Sequence, residues 1–210
     1  MTKLYRLDAS ARAVGEAFGA RMGEDPWAGG YVAPDTFAPV ITASRDFVAG
    51  PRPTDRRLQP RAVPRLWGVM PPPSADPASR RVTSVRNLDS PYWIGHLRNC
   101  EFRCLIPATA FMLWGQGTDY EGRRLKHWLG LEDQPIFALL GLWKDEDVPA
   151  FSLLSLETQG LAKTLDAKAM PIAVAAGGRA QDVWLHADWD RARRLIEHPG
   201  GQALFEIEHA

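Results

Sequence analysis

Only a few side chains of this 210-residue sequence are placed where they suggest chemistry. Thr2 follows the initiator methionine, and a small residue there permits removal of Met1, which would leave a free α-amine beside a hydroxyl group. Such an amine can form an imine with an aldehyde, but a hydroxyl closes a second ring less readily than a thiol because it is the weaker nucleophile. Asp166 is a candidate acid or base if it is buried, whereas beside a guanidinium such as that of Arg86 it would stay ionised.

The two cysteines, Cys100 and Cys104, do not form a metal-binding pattern, because no second pair of ligands lies at the spacing that zinc sites use. We interpret them as small buried apolar residues. The sequence also contains no Ser-His-Asp signature and no glycine-rich phosphate loop. We therefore expect neither a metal nor a cofactor.

Charge is distributed unevenly along the chain although the formal net charge is zero. The segment from Arg45 to Arg103 contains eleven arginines, no lysine and five acidic residues, a local charge of +6. One interpretation is a set of solvated arginine-rich loops. The other is a phosphate-binding face, since guanidinium groups match phosphate oxygens and local charge decides such binding.

The order of predicted elements indicates a single α+β domain over residues 1–210, a barrel-like antiparallel sheet with flanking short helices. Short apolar runs alternate with turn signals, which is typical of such a sheet. No run reaches membrane-spanning length and no signal peptide is recognisable, so we expect a cytoplasmic protein. The main predicted elements are a first strand at Leu4–Leu7, a helix capped by Asp8 or Ser10 that carries Val14, Phe18 and Met22 and stops at Gly23, a strand at Ala38–Ile41, helices at Ala180–Leu185 and Trp189–His198, and a last strand at Ala203–Ile207.

One run, Arg103–Trp114, resembles the central strand motif of the SOS response-associated peptidase (SRAP) family, in which a Glu precedes the final aromatic residue. Here Leu113 occupies the position of that Glu. Six further segments resemble family motifs in the family's order: Leu4–Arg6, Ala33-Pro34 with Pro39–Ile41, Leu66–Pro71, Val82–Asn87, Leu140–Trp143 and Lys168–Ile172. Together these segments cover nearly the whole chain.

The resemblance implies a protein that binds single-stranded DNA and cross-links to abasic sites. In the family, an N-terminal Cys closes a thiazolidine with the sugar aldehyde, and an Asn, a Glu and a His move or position protons, while an Arg holds phosphate. The same Cys is credited with autoproteolytic maturation. Residue by residue, the reactive positions are replaced in this sequence, since the Cys, Asn and Glu positions hold Thr2, Ser84 and Leu113. The His position falls on Asp166, or on Ala167 if the gap is placed one residue later.

The implied DNA-binding positions are better preserved. Arg86 stands where the family has its phosphate-holding Arg, and Arg6, Trp67 and Ser84 belong to the implied binding groove. We expect Trp67 to stack on a base and Arg6 and Arg86 to contact phosphate. The alternatives are a core position for Trp67 and a surface ion pair of Arg86 with Asp89.

Three functions are therefore open. The first is a degenerate, non-catalytic family member that binds single-stranded or abasic DNA. The second is a weak cross-linking enzyme or autopeptidase that uses the Thr2 amine. The third is a protein-interaction module on an abandoned groove. In each case we expect Thr2, Ser84, Leu113 and Asp166 or Ala167 to converge on one pocket.

Overall fold

The computed structural model describes residues 2–23, 27, 29–43, 59–76, 80–165, 167–198 and 203–207. Thirteen strands are present in this part of the chain: β1 Tyr5–Leu7, β2 Gly30–Val32, β3 Phe37–Thr42, β4 Arg61–Trp67, β5 Ser84–Val85, β6 Arg103–Ala108, β7 Ala110–Thr118, β8 Arg124–Leu131, β9 Phe137–Lys144, β10 Ala150–Leu156, β11 Met170–Pro171, β12 Ala173–Ala175 and β13 Leu204–Glu206. The helices are α1 Ala11–Phe18, α2 Ile94–Arg98, α3 Gly160–Thr164, α4 Gly178–His186 and α5 Trp189–Glu197.

Five strands close into a barrel, because β10, β4, β3, β6 and β9 pair in that order and β9 pairs back onto β10. Every residue of β6 is buried, as is nearly every residue of β9, so both faces of these strands are covered. The predicted α+β fold with a barrel-like sheet is confirmed. One detail differs: β10 runs parallel to β4 and then to β5, so the sheet is not wholly antiparallel.

A second sheet of five strands, in the order β13-β8-β7-β1-β2, packs against the barrel. Its inner face carries aromatic side chains that meet those of the barrel, with the ring centroids of Tyr5 and Trp67 5.3 Å apart and those of Phe111 and Phe137 6.2 Å apart. Its outer face carries a separate small apolar cluster that includes Met112 and Trp128. This sheet therefore has one face in the core and one face outside it.

The first helix begins where its N-cap was predicted but ends earlier. The Ser10 hydroxyl accepts the backbone N–H of Ala13, whereas Asp8 plays no capping role. The helix was predicted to continue past Met22 to Gly23, and this is wrong because Gly19 adopts a left-handed conformation with φ of 58° and ends it. Val14 and Phe18 are buried as the periodicity requires.

The two C-terminal helices were predicted close to their observed limits. The first, α4, is two residues longer at its start and one at its end than predicted, and α5 ends one residue earlier. The predicted stop at Pro199–Gly201 lies outside the described residues. Among the described residues, no helix is both long enough and apolar enough to cross a membrane.

Candidate functional site

Thr2 lies just before the strand β1, which pairs with the strand that carries Leu113. Strand β1 pairs antiparallel with β7. The ladder continues toward the N-terminus, since the backbone N–H of Met112 donates to the Leu4 carbonyl at 3.0 Å. Thr2 is only 2% exposed, and its hydroxyl oxygen is buried without a hydrogen-bond partner in the described part of the chain. Thr2 is therefore packed into the fold and not frayed, although it lies near the start of the chain.

Leu113 is fully buried on the inner face of the second sheet. Its cross-strand neighbour in the β7–β8 ladder is His127, whose Nδ1 lies 2.6 Å from Oε1 of Glu206. The imidazole also crowds Gly115, where an added Cβ would lie 2.7 Å from the His127 Cδ2. A His–carboxylate pair thus stands beside the position where the family has its Glu. Sequence reasoning missed this pair, because Glu206 is far along the chain and carries no motif.

Ser84 lies on the barrel side of the site. Its hydroxyl is 2.6 Å from that of Ser155, and Ser155 is paired with Pro171 in β11. Ala167 is buried, and its carbonyl accepts the Thr158 hydroxyl at 2.6 Å. Asp166, the other candidate for the His position, lies outside the described residues.

A chain of contacts runs from β1 toward Ser84. The Tyr5 ring packs on Trp67, and the Trp67 indole N–H donates to the carbonyl of Thr83 at 3.0 Å. Thr83 immediately precedes Ser84. The N-terminal strand and the segment of Ser84 are thereby linked through two buried rings. The convergence of all four replaced positions on one pocket stays a prediction.

Trp67 is a core residue. Its exposed fraction is 0%, and Phe151 stacks on it at a centroid distance of 6.1 Å with the rings nearly parallel. An indole whose faces and N–H are all occupied by protein has no surface left for a base. The base-stacking role predicted for Trp67 therefore does not fit this arrangement, and of the two interpretations given above the core position is the correct one.

The two predicted phosphate-binding arginines lie at the surface in different settings. Arg86 is exposed and forms no ion pair with any residue that the structure describes. Asp89, its alternative partner, pairs instead with Arg193 at 3.2 Å. Arg6 is half-buried, and its Nε donates to Asp8 at 2.7 Å.

Arg6 belongs to a larger surface that sequence reasoning did not find. Its guanidinium carbon lies 5.5 Å from the centroid of the Tyr31 ring and 5.9 Å from that of Trp128, and these two rings are 5.5 Å apart. Beside them, the cationic groups of Arg124 and Lys126 lie 5.7 Å and 5.6 Å from the ring centroid of Trp114. We call this surface the cation–aromatic face; it comprises Arg6, Tyr31, Trp114, Arg124, Lys126 and Trp128.

Strand register explains why these residues meet. Arg6 is opposite Tyr31, and Trp114 is opposite Lys126, so each pair projects from the same face of the sheet. Tyr31 is 58% exposed and presents a free aromatic surface to solvent. The arrangement interleaves rings with cations, which favours a ligand that offers both flat π-systems and negative charge.

The cysteines are not part of this site. Cys104 is fully buried, and burial raises the pKa of its thiol well above the ordinary range. Cys100 is partly exposed, and neither forms a disulfide. Among the described residues, no group of three or more His, Cys, Asp or Glu side chains is placed to hold a metal ion.

Comparison with solved structures places the fold. A protein of Bacteroides thetaiotaomicron superposes with a TM-score of 0.69 at 16% identity, covering 98% of this chain and 92% of that chain. A protein of Bordetella bronchiseptica gives 0.65 at 15% identity, covering 98% and 99%. A phage-related protein of the same organism gives 0.68 at 12% identity, covering 99% and 94%. At these identities the likeness shows the fold alone.

Family membership rests on the sequence itself. No protein with a curated description matches the chain significantly. The model of the family described as SOS response associated peptidase (SRAP), however, matches residues 1–207. This match agrees with the motif order and the barrel described above, and the chain belongs to the SRAP family.

Proposed function

We propose that this protein binds single-stranded DNA, including strands with abasic sites, and releases it without a durable cross-link. The observation that carries the proposal is the cation–aromatic face. Proteins that hold single strands combine cations that follow the backbone with aromatic rings on which bases stack. Tyr31 offers the exposed ring, and Arg124 and Lys126 offer charge over the ring of Trp114 on the same face.

Arg86 supplies a further phosphate contact in this proposal. Its side chain is exposed and has no acidic partner among the described residues, so an incoming phosphate does not have to displace one. Ser84, in the same implied groove, is held by Ser155 rather than exposed to solvent alone. We propose the cytoplasm as the compartment in which the protein meets single-stranded DNA.

The absence of a durable cross-link follows from the residues at the reactive positions. A thiazolidine needs a thiol beside an α-amine, and Thr2 offers only a hydroxyl. Leu113 is fully buried and aliphatic, so it cannot exchange a proton with a substrate. A general acid or base contributes roughly 10² to 10⁴ in rate, so its loss leaves at most a slow, reversible imine.

A second candidate function, weak cross-linking through the Thr2 amine, is favoured by one observation. The His127–Glu206 pair lies across the ladder from Leu113, close to where the family has its Glu. An imidazole held by a carboxylate is a group of the kind that serves as a general acid or base. Sodium borohydride, which reduces an imine to a stable amine, would trap this product on abasic DNA and distinguishes the two functions.

The proposal is tested by fluorescence anisotropy of a labelled single-stranded oligonucleotide at several salt concentrations. The wild type should bind at low salt, with log K falling by roughly 0.7 for each phosphate contact per unit of log salt. The double change Arg124→Gln with Lys126→Gln should weaken binding and reduce that slope, and Arg86→Gln should reduce it further. Arg12→Gln, on the exposed surface of α1, is the matched control and should bind as the wild type does.

Two results would contradict the proposal. Absence of binding by the wild type at low salt would leave the protein-interaction module as the remaining function. If Arg12→Gln lost as much affinity for the oligonucleotide as the variants of the cation–aromatic face, overall charge and not this face would explain the binding.

A further inference from the structure

A cleft of about 620 Å³ lies between α4 and α5, on helices that supply no residue to the cation–aromatic face. One wall comes from the end of β12 and the first turns of α4, and the other comes from α5. The α5 residues recur at helical spacing and so form one face of that helix. The lining residues are Ala175–Ala180, Val183, Arg191, Arg194, Leu195 and His198.

Positive charge lines this cleft. Arg179, Arg191 and Arg194 line it and are exposed, and none of them forms an ion pair with a residue that the structure describes. The ion pairs that α5 forms within the described part of the chain involve Arg193, which lies outside the lining and binds Asp89 and Glu197. Of the residues that the structure describes, no acidic one lines the cleft. Like charges that line one cleft repel each other, and a bound anion would offset that repulsion.

The floor of the cleft is small and apolar. Alanines at 175, 176 and 180 form it together with Val183 and Leu195. Gly177 adds no side chain, and a Cβ there would approach the Ala17 carbonyl oxygen at 3.1 Å in a backbone conformation with φ of 70°. A ligand would therefore meet apolar surface below and guanidinium groups at the rim. The volume is within the range of about 300 to 1,000 Å³ found for small-molecule sites.

We propose that this cleft binds a phosphomonoester of about nucleotide size, with the phosphate between the three guanidinium groups and the organic part over the alanines. A phosphomonoester carries nearly two negative charges and three acceptor oxygens, which match three planar guanidinium donors. A single carboxylate offers one charge and two oxygens and matches them less well. This inference is independent of the DNA-binding function.

Isothermal titration calorimetry on the whole protein tests the proposal with three probes: adenosine 5′-monophosphate, inorganic phosphate and adenosine. The monophosphate should bind most tightly, inorganic phosphate more weakly because it lacks the organic part, and adenosine not at all. The double change Arg179→Gln with Arg194→Gln should weaken binding of the monophosphate at least about tenfold, because charge-assisted hydrogen bonds are lost. Arg194→Lys, which keeps charge but loses the planar fork, should give an intermediate affinity.

Controls decide between this site and its alternatives. Arg12→Gln should leave binding unchanged, and thermal melting of each variant without ligand should match that of the wild type. The proposal is overturned if the monophosphate does not bind at low salt, if adenosine binds equally well, or if a glutamate-rich peptide binds more tightly than the monophosphate. It is also overturned if Arg179→Gln with Arg194→Gln weakens single-stranded DNA binding as much as monophosphate binding, since the cleft would then belong to the DNA interface.

Discussion

Leu113 and His127 are directly opposite one another in the ladder between β7 and β8. Cross-strand neighbours project from the same face of a sheet, so the imidazole lies beside the position at which the family has a carboxylate. His127 is in turn bound to Glu206. An aliphatic side chain on β7 therefore faces a His–Glu pair that spans β8 and β13.

Restoring the family residues should restore cross-linking in two steps. Thr2→Cys supplies the thiol that a thiazolidine needs, so we expect a slow, heat-stable adduct with abasic single-stranded DNA. Adding Leu113→Glu should raise its rate of formation by roughly 10² to 10⁴, the usual contribution of a general acid or base. Denaturing electrophoresis at timed intervals measures both rates.

The matched control for that experiment is Thr2→Cys with Leu113→Gln. Glutamine has the shape and polarity of glutamate but does not transfer a proton, so its rate should stay at the level of Thr2→Cys alone. If Thr2→Cys alone were as fast as the variant with Glu, the carboxylate would have no role here, and His127 with Glu206 would be sufficient for proton transfer.

Tyr31→Ala should weaken single-stranded DNA binding by roughly 1–3 kcal/mol, the usual contribution of one base stacked on an aromatic ring. Tyr31 is 58% exposed and should tolerate the change without loss of folding. Tyr120→Ala is the control, because Tyr120 is 94% exposed in the turn between β7 and β8 and its ring stacks on no residue that the structure describes. Fluorescence anisotropy with the same oligonucleotide measures the affinity of each variant. Equal affinities would show that Tyr31 does not contact the DNA.

The two cysteines should differ sharply in reactivity. Burial raises the pKa of the Cys104 thiol, so little thiolate forms, and the side chain has no exposed surface. Iodoacetamide at neutral pH should therefore modify Cys100 in the folded protein and Cys104 only after unfolding, as mass spectrometry of peptides would show. Rapid labelling of Cys104 in the folded state would mean that β6 opens readily.

The same burial predicts how stability depends on pH. The ordinary pKa of a cysteine thiol is 9.0, and burial raises the pKa of Cys104 above it. Above pH 9.0 the unfolded chain therefore loses the Cys104 proton while the folded state keeps it. The free energy of unfolding should therefore keep its full value below that pH. It should fall as the pH rises further, because the unfolded state then binds fewer protons than the folded state. Urea unfolding at increasing alkaline pH measures this fall, and Cys104→Ala should reduce its slope.

Gly141→Ala should destabilise the barrel by about 1–3 kcal/mol, the usual cost of overpacking a core. An added Cβ would lie 2.9 Å from the Ser152 carbonyl oxygen and would collide with the Ile106 side chain. Gly95→Ala in α2 is the control, since nothing lies within 4 Å of its Cβ and alanine favours a helix. Denaturant unfolding should show a loss for the first change and no loss for the second.

Local sequence patterns predict much of the fold, and the order of the motifs was enough to predict a barrel-like sheet with short helices. The end of α1 could not be predicted from such patterns. Gly19 and Gly23 are equally good stop signals in sequence, and only packing decides which of them ends the helix. The parallel pairing of β10 with β4 also escaped prediction, since it closes the barrel through contacts between distant segments. Register across such distances depends on the whole core.

The candidate site also contains features that the sequence predicts and features that it does not. The expectation that Thr2 and Leu113 share a pocket comes from the family motifs, whereas Tyr31 over Arg6 and Glu206 on His127 depend on short strands that pair at a distance and carry no motif. Trp67 shows the opposite error: the adjacent Gly68 and nearby prolines favour a loop rim, but its ring is enclosed by Tyr5 and Phe151. A residue's neighbours in sequence do not determine which side of a sheet it occupies.

The claim that DNA is held without being trapped is tested most directly by one gel experiment. Wild-type protein is incubated with abasic single-stranded DNA without reductant, and the mixture is split between a native gel and a heated denaturing gel. We predict a shifted band in the native gel and none in the denaturing gel. A shifted band that survives heating would show durable cross-linking by this chain, and the absence of a shift in the native gel would show that the face does not bind the strand; either result contradicts the account.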